Sequence, residues 1–162
     1  MELFRREDMI ENIIGEMVSL TNQKLECLRI ILDLKPRQKE AILEENIDNI
    51  GTTVDLIQDQ INIINELDYQ YNSKLNELKS IVNIDDISQL DDMECLSLKD
   101  NLDKIKHLLK QIKVLDDENN LLMQEKFTEI KEKLRSLRQG RKMANSYLAD
   151  YSSSTIFIDE RN

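Results

Sequence analysis

The sequence predicts an all-α fold: an antiparallel bundle of three long helices with coiled-coil-like packing, and a C-terminal segment available as a fourth. Three observations predict it. Glycine occurs three times (Gly15, Gly51, Gly140) and proline once (Pro36) in 162 residues, whereas sheet-containing domains need turn residues about every 8–12 positions. Tryptophan is absent and aromatics make up 4% of the chain, so a core must come from Ile and Leu. Charged residues are 33% against 40% hydrophobic, a balance that suits amphipathic helices with much solvated surface.

The first helix is expected over about 3–45. Ile10, Ile14, Val18, Thr21, Leu25, Leu28 and Leu32 recur at steps of three and four, which is one helix face. Ile13, Met17, Leu20 and Ile31 widen that face, as a helix with more than one neighbour requires. Pro36 removes an amide donor and disfavours helical geometry at Lys35, so a break or kink is expected at 35–36. The second helix, 47–82, has the cleanest pattern: Ile47, Ile50, Val54, Ile57, Ile61, Ile64, Asp68, Tyr71, Leu75, Leu78 and Val82 alternate steps of three and four. At 1.5 Å per residue this is a rod of roughly 54 Å, and such a seam needs other helices to cover it.

Between Asn83 and Asp92 the periodicity lapses, and Asn83, Asp85, Asp86, Asp91 and Asp92 supply turn and cap chemistry. The third helix is expected over 93–138. Leu102, Ile105, Leu109 and Ile112 lead to polar Asp116 and Asn119, and apolar spacing returns at Met123, Phe127, Ile130, Leu134 and Leu137. The shift of phase marks a stutter, and the polar stretch 116–120 reads as a register-setting layer within a continuous helix or as a helix boundary. Gly140 is a stop or hinge signal. A short amphipathic helix over 141–151 and a flexible tail over 152–162 complete a single bundle domain of residues 1–151.

Composition also bounds function. The net charge of −10 repels phosphate backbones and anionic headgroups, so nucleic-acid binding and stable membrane insertion are not expected. No signal-peptide core or span of 18 uncharged apolar residues occurs, which makes the expected location cytosolic. Cys27 and Cys95 are far apart, without CxxC spacing, and are read as free thiols. Catalytic, cofactor and metal sites are not expected. His107 is the single histidine, and phosphate-loop, zincin and nucleophile-elbow motifs are missing. The acid pairs Asp85-Asp86, Asp91-Asp92 and Asp116-Asp117 lack the Glu-x-x-His companion of a di-iron bundle, and adjacent helical acids point about 100° apart.

One region departs from the acidic balance. Leu121–Lys142 holds seven basic residues (Lys126, Lys131, Lys133, Arg135, Arg138, Arg141, Lys142) against three acids (Glu125, Glu129, Glu132). With the apolar stretch beyond it, this is a docking surface for an acidic or amphipathic helix, or else a solvated face with i,i+4 pairs such as Glu129–Lys133.

The whole pattern resembles the FlgN family of flagellar export chaperones. Leu25, Leu28, Leu32, Lys39, Ile42 and Asn46-Ile47-Asp48 are similar to the family's turn into its second helix. Gln60, Ile64, Glu66 and Leu67 resemble its Gln-rich seam and Leu-Glu pair. Asn119-Asn120-Leu121-Leu122, then Ile130, Leu134, Gly140, Ala144 and Tyr147, and finally Phe157-Ile158-Asp159 resemble its C-terminal part. Pro36, Asp68 and Tyr71 depart from the family pattern. The resemblance implies a cytosolic chaperone that binds helix-forming terminal regions of hook–filament junction proteins and delivers them to the export gate. It implies client binding through about Leu134–Tyr151, with Leu134, Leu137, Met143, Tyr147, Leu148 and Tyr151 as apolar contacts and Arg138 and Arg141 steering. Rival readings are a structural coiled-coil tether that dimerises through the 47–82 seam, a regulator that sequesters another protein, and an enzyme or metal-binding helical bundle.

Overall fold

The computed structural model describes residues 2–85, 90 and 93–147, apart from the side chains of Phe4, Met93, Glu94 and 145–147. Nearly all of them lie in three helices, α1 (Glu2–Leu43), α2 (Ile47–Ile81) and α3 (Met93–Tyr147), and the described residues include no strand. The chain divides into two compact units, Met1–Leu122 and Met123–Asn162.

The first unit is an up-down-up bundle. Its chain direction follows from which residues meet. Glu16 pairs with Lys74 at 2.6 Å and Lys24 with Asp68 at 2.7 Å, while Leu34 packs with Ile57, so α2 runs antiparallel to α1. Asn101 meets Thr21 and Asn22, Ile105 meets Leu25 and Leu28, and Asn119 meets Lys35 and Gln38. The numbers rise together, so this part of α3 runs parallel to α1.

A tight turn sets the α1–α2 hairpin. The Asn46 amide donates to the Ala41 carbonyl and the Glu45 amide to the Ile42 carbonyl, both at 3.0 Å. These are the two bonds of a Schellman motif, which needs a left-handed residue where Glu45 stands, and Glu45 has φ 56°. Asn46 then starts α2: its side chain accepts from the Asn49 amide at 3.1 Å. At the far end Arg6 Nη2 donates to the Ile81 carbonyl at 2.7 Å, placing a cation on the C-terminus of α2.

α1 continues through Pro36. The lost amide bond is offset by tertiary contacts at the same turn. Lys35 is buried, its Nζ lies 2.7 Å from Asp116, and its carbonyl accepts from Asn119 Nδ2 at 2.9 Å. The stretch 116–120 is therefore a polar layer inside a continuous α3, tying it to α1. A second layer lies 18 residues earlier, where Asn101 Nδ2 donates to Thr21 Oγ1 at 3.0 Å and Asn22 Oδ1 at 2.8 Å. α3 also runs through Gly140, so residues 141–147 extend the third helix instead of opening a fourth. Residues 148–151 and the expected tail 152–162 lie outside the described residues.

The core follows α1, whose buried positions form two adjacent columns, as its widened stripe predicts. Ile13, Ile14 and Met17 pack with Leu78, Cys95 and Leu98; further along, Leu25 and Leu28 meet Ile105. Both cysteines are free and buried, and burial pushes the Cys27 thiol up from its ordinary range. On α2 the predicted seam is half right. Ile50, Ile57, Ile64, Tyr71 and Leu78 are buried or half-buried. In the companion column Leu75 and Val82 are half-buried and pack on the core as expected, whereas nearer the start of α2 Thr53 is buried in place of Val54, and Leu67 is buried beside the half-buried Asp68. Ile47, Val54 and Ile61 are exposed, and Leu109 of α3 is too. Asp68, the charged exception in the seam, is explained by its ion pair with Lys24.

Candidate functional site

The second unit holds the end of α3. Met123, Phe127, Ile130, Leu134 and Leu137 follow at steps of four and three, which aligns them on one helix face. Glu, Lys, Leu, Gln, Met and Arg, all good helix formers, dominate this stretch and keep it helical. Phe127 is 61% exposed and Leu137 66%, with Ile130 and Leu134 also exposed. An exposed apolar row at this spacing is the pattern that an amphipathic partner helix or a helix groove matches.

Charge is segregated around the row. Glu125, Glu129 and Glu132 stand two residues past seam positions, about 200° round the helix, so they occupy the back. Basic side chains flank the front. Lys126 lies one residue before Phe127 and also reaches Glu129 at 3.5 Å. Lys131 sits with its Nζ 5.7 Å from the Phe127 ring centroid, a cation–π contact across one turn. Ser136, Gly140 and Ala144 recur at four-residue steps and, with Glu132, Lys133, Leu137 and Arg141, line a shallow concavity at the side of the helix. The missing side-chain bulk leaves room for side chains of a partner helix.

Of the residues expected at the site, Leu134 and Leu137 lie on this face, Arg141 continues it and Arg138 flanks it; all four are exposed. Met143 is exposed but lies two residues past Arg141, on the opposite side of the helix. Tyr147 is the last residue of α3, its side chain not described, and Leu148 and Tyr151 lie outside the described residues. Phe127, Ile130 and the Lys126–Lys131 flank belong to the same surface. Their spacing was legible in sequence, but a seam residue reads the same whether a bundle or a partner covers it.

Other groups weighed for chemistry are engaged or exposed. Asp116 accepts from Lys35 and Asp117 from Lys113 at 3.0 Å; the hydrogen bond to Asp117, with the charges of Asp117 and Asp116, raises the Lys113 pKa. His107 is exposed on α3. Among the described residues no cluster of His, Cys, Asp or Glu has the makings of a metal site. A crevice of about 70 Å³ between Leu20, Leu67, Tyr71 and Ile105 is small beside the ~300–1,000 Å³ of small-molecule sites. No described helix is long and apolar enough to cross a membrane.

The family model described as FlgN protein matches residues 9–154. No curated protein and no solved structure matches the chain.

Proposed function

This chain belongs to the FlgN family, the flagellar export chaperones, and on that premise we propose that it holds the helix-forming terminal regions of hook–filament junction proteins in the cytosol and delivers them for secretion. One observation carries the reading: the exposed row Phe127, Ile130, Leu134 and Leu137, flanked by lysines and arginines with acids at its back. Such a face suits an amphipathic helix laid along it, with apolar anchors at i, i+3, i+4 and i+7 and the basic flanks steering an acidic partner. Arg138 and Arg141 take the steering role, and the concavity beside Gly140 accepts an anchor residue. Binding of this type shields a client's apolar surface without any covalent step, in keeping with a chaperone family.

The test is a titration of a purified hook–filament junction protein against the wild type and against Leu134→Ala and Leu137→Ala. Each truncation removes roughly 1.5 kcal/mol or more of burial at the interface and should weaken binding about tenfold. The thermal midpoint should stay within about a degree, because exposed positions contribute little to stability. Unchanged binding, or a large fall in the midpoint, would refute the assignment of this face.

A further inference from the structure

A second exposed apolar surface lies on α2. Leu56 and Ile63 are exposed seven residues apart, and Asp59 and Glu66 interleave with them. The steps of three, four and three set all four on one helix face. Ile47–Gln70 carries five acids and no lysine or arginine. Asp68 is paired with Lys24, and Glu66 accepts from Gln70 at 3.2 Å, but among the described residues neither Asp59 nor Glu66 forms an ion pair. An apolar face with one sign of charge calls for a basic amphipathic helix as its occupant.

The chain itself carries such a helix. Lys126, Ile130, Lys133 and Leu137 follow at steps of four, three and four. Read backwards, this is the same apolar–charged alternation as Leu56, Asp59, Ile63 and Glu66 with the opposite sign. An antiparallel alignment sets Leu56 against Leu137, Asp59 against Lys133, Ile63 against Ile130, and Glu66 against Lys126. We propose that α2 of one copy takes the 126–137 stretch of α3 from a second copy, giving a self-associated form held by this charge-matched seam. Lys126, half-buried and 3.5 Å from the exposed Glu129 within its own helix, gains Glu66 of the second copy as an additional partner. The interface stands whether or not the same stretch also takes clients, so its failure leaves the chaperone reading untouched.

Sedimentation velocity of the full chain over a concentration series tests this. The wild type should self-associate, and more weakly as salt rises, since the seam is ionic at its edges. Asp59→Lys with Glu66→Lys should weaken association at least about tenfold, as should Lys126→Glu with Lys133→Glu. An equimolar mixture of the two variants should associate again, because each then carries the charge its partner lacks; that rescue also requires both variants to be folded. A wild type that stays monomeric throughout, a variant that associates as the wild type does, or a mixture that stays monomeric would each overturn the proposal.

Discussion

Glu45 holds the exit of α1 in the left-handed region with φ 56°, a conformation that costs a non-glycine residue roughly 1 kcal/mol. The two Schellman bonds from the Glu45 and Asn46 amides hold it there. Glu45→Gly should therefore raise stability by about 0.5–1 kcal/mol, after allowing for the greater freedom of glycine in the unfolded chain, and move the urea midpoint upward. A lower midpoint would mean that the Glu45 side chain contributes more than its backbone strain costs. Asn46 was expected at the boundary through the resemblance of Asn46-Ile47-Asp48 to the family's turn into its second helix. Glu45 was not, since glutamate carries no turn signal. Pro36 signalled a break or kink, and no break occurs: the sequence shows the lost amide bond but not that Lys35, Asp116 and Asn119 converge on the same turn.

At the scale of the element, periodicity told how many helices form but not which columns they bury. The run from Ile47 to Val82 permits two seams that share Ile50, Ile57, Ile64, Tyr71 and Leu78. Apolarity favours Val54 and Ile61 as the second column, yet α1 selects Thr53 and Leu67 because Leu20 and Cys27 meet Leu67 there. Two polar layers then fix α3 against α1, one at Asn101 and one at Lys35, Asp116 and Asn119. A buried amine that loses its carboxylate costs about 3–5 kcal/mol. Asp116 is 42% exposed, so water offsets much of this, and Asp116→Ala should cost about 1–2 kcal/mol in chemical denaturation. Lys35→Met combined with Asp116→Leu should recover most of the loss, since Lys35 is buried and an apolar pair of similar volume can replace a buried ion pair. A double variant no more stable than Asp116→Ala would argue that the layer does more than join two charges.

For the molecule as a whole, the acidic net charge conceals an uneven distribution. Acids dominate the Ile47–Gln70 part of α2, while the end of α3 is basic around an exposed apolar row. The all-α class, the three helices and the basic C-terminal stretch could all be read from composition and spacing. The extent of the candidate surface could not, because Phe127 and Ile130 carry the same 3–4 spacing as the core residues Leu98 and Ile105. Membership of an export-chaperone family implies protein clients in flagellar export, and their proposed recognition site lies in the second unit. The most direct measurement is calorimetric titration of a hook–filament junction protein into the full chain and into a chain ending at Leu122, the boundary between the units. The full chain should bind, and the shorter chain should show a helical circular-dichroism spectrum with no heat of binding. Equal affinity for both chains would contradict the proposed site, and recognition would then belong to the three-helix bundle.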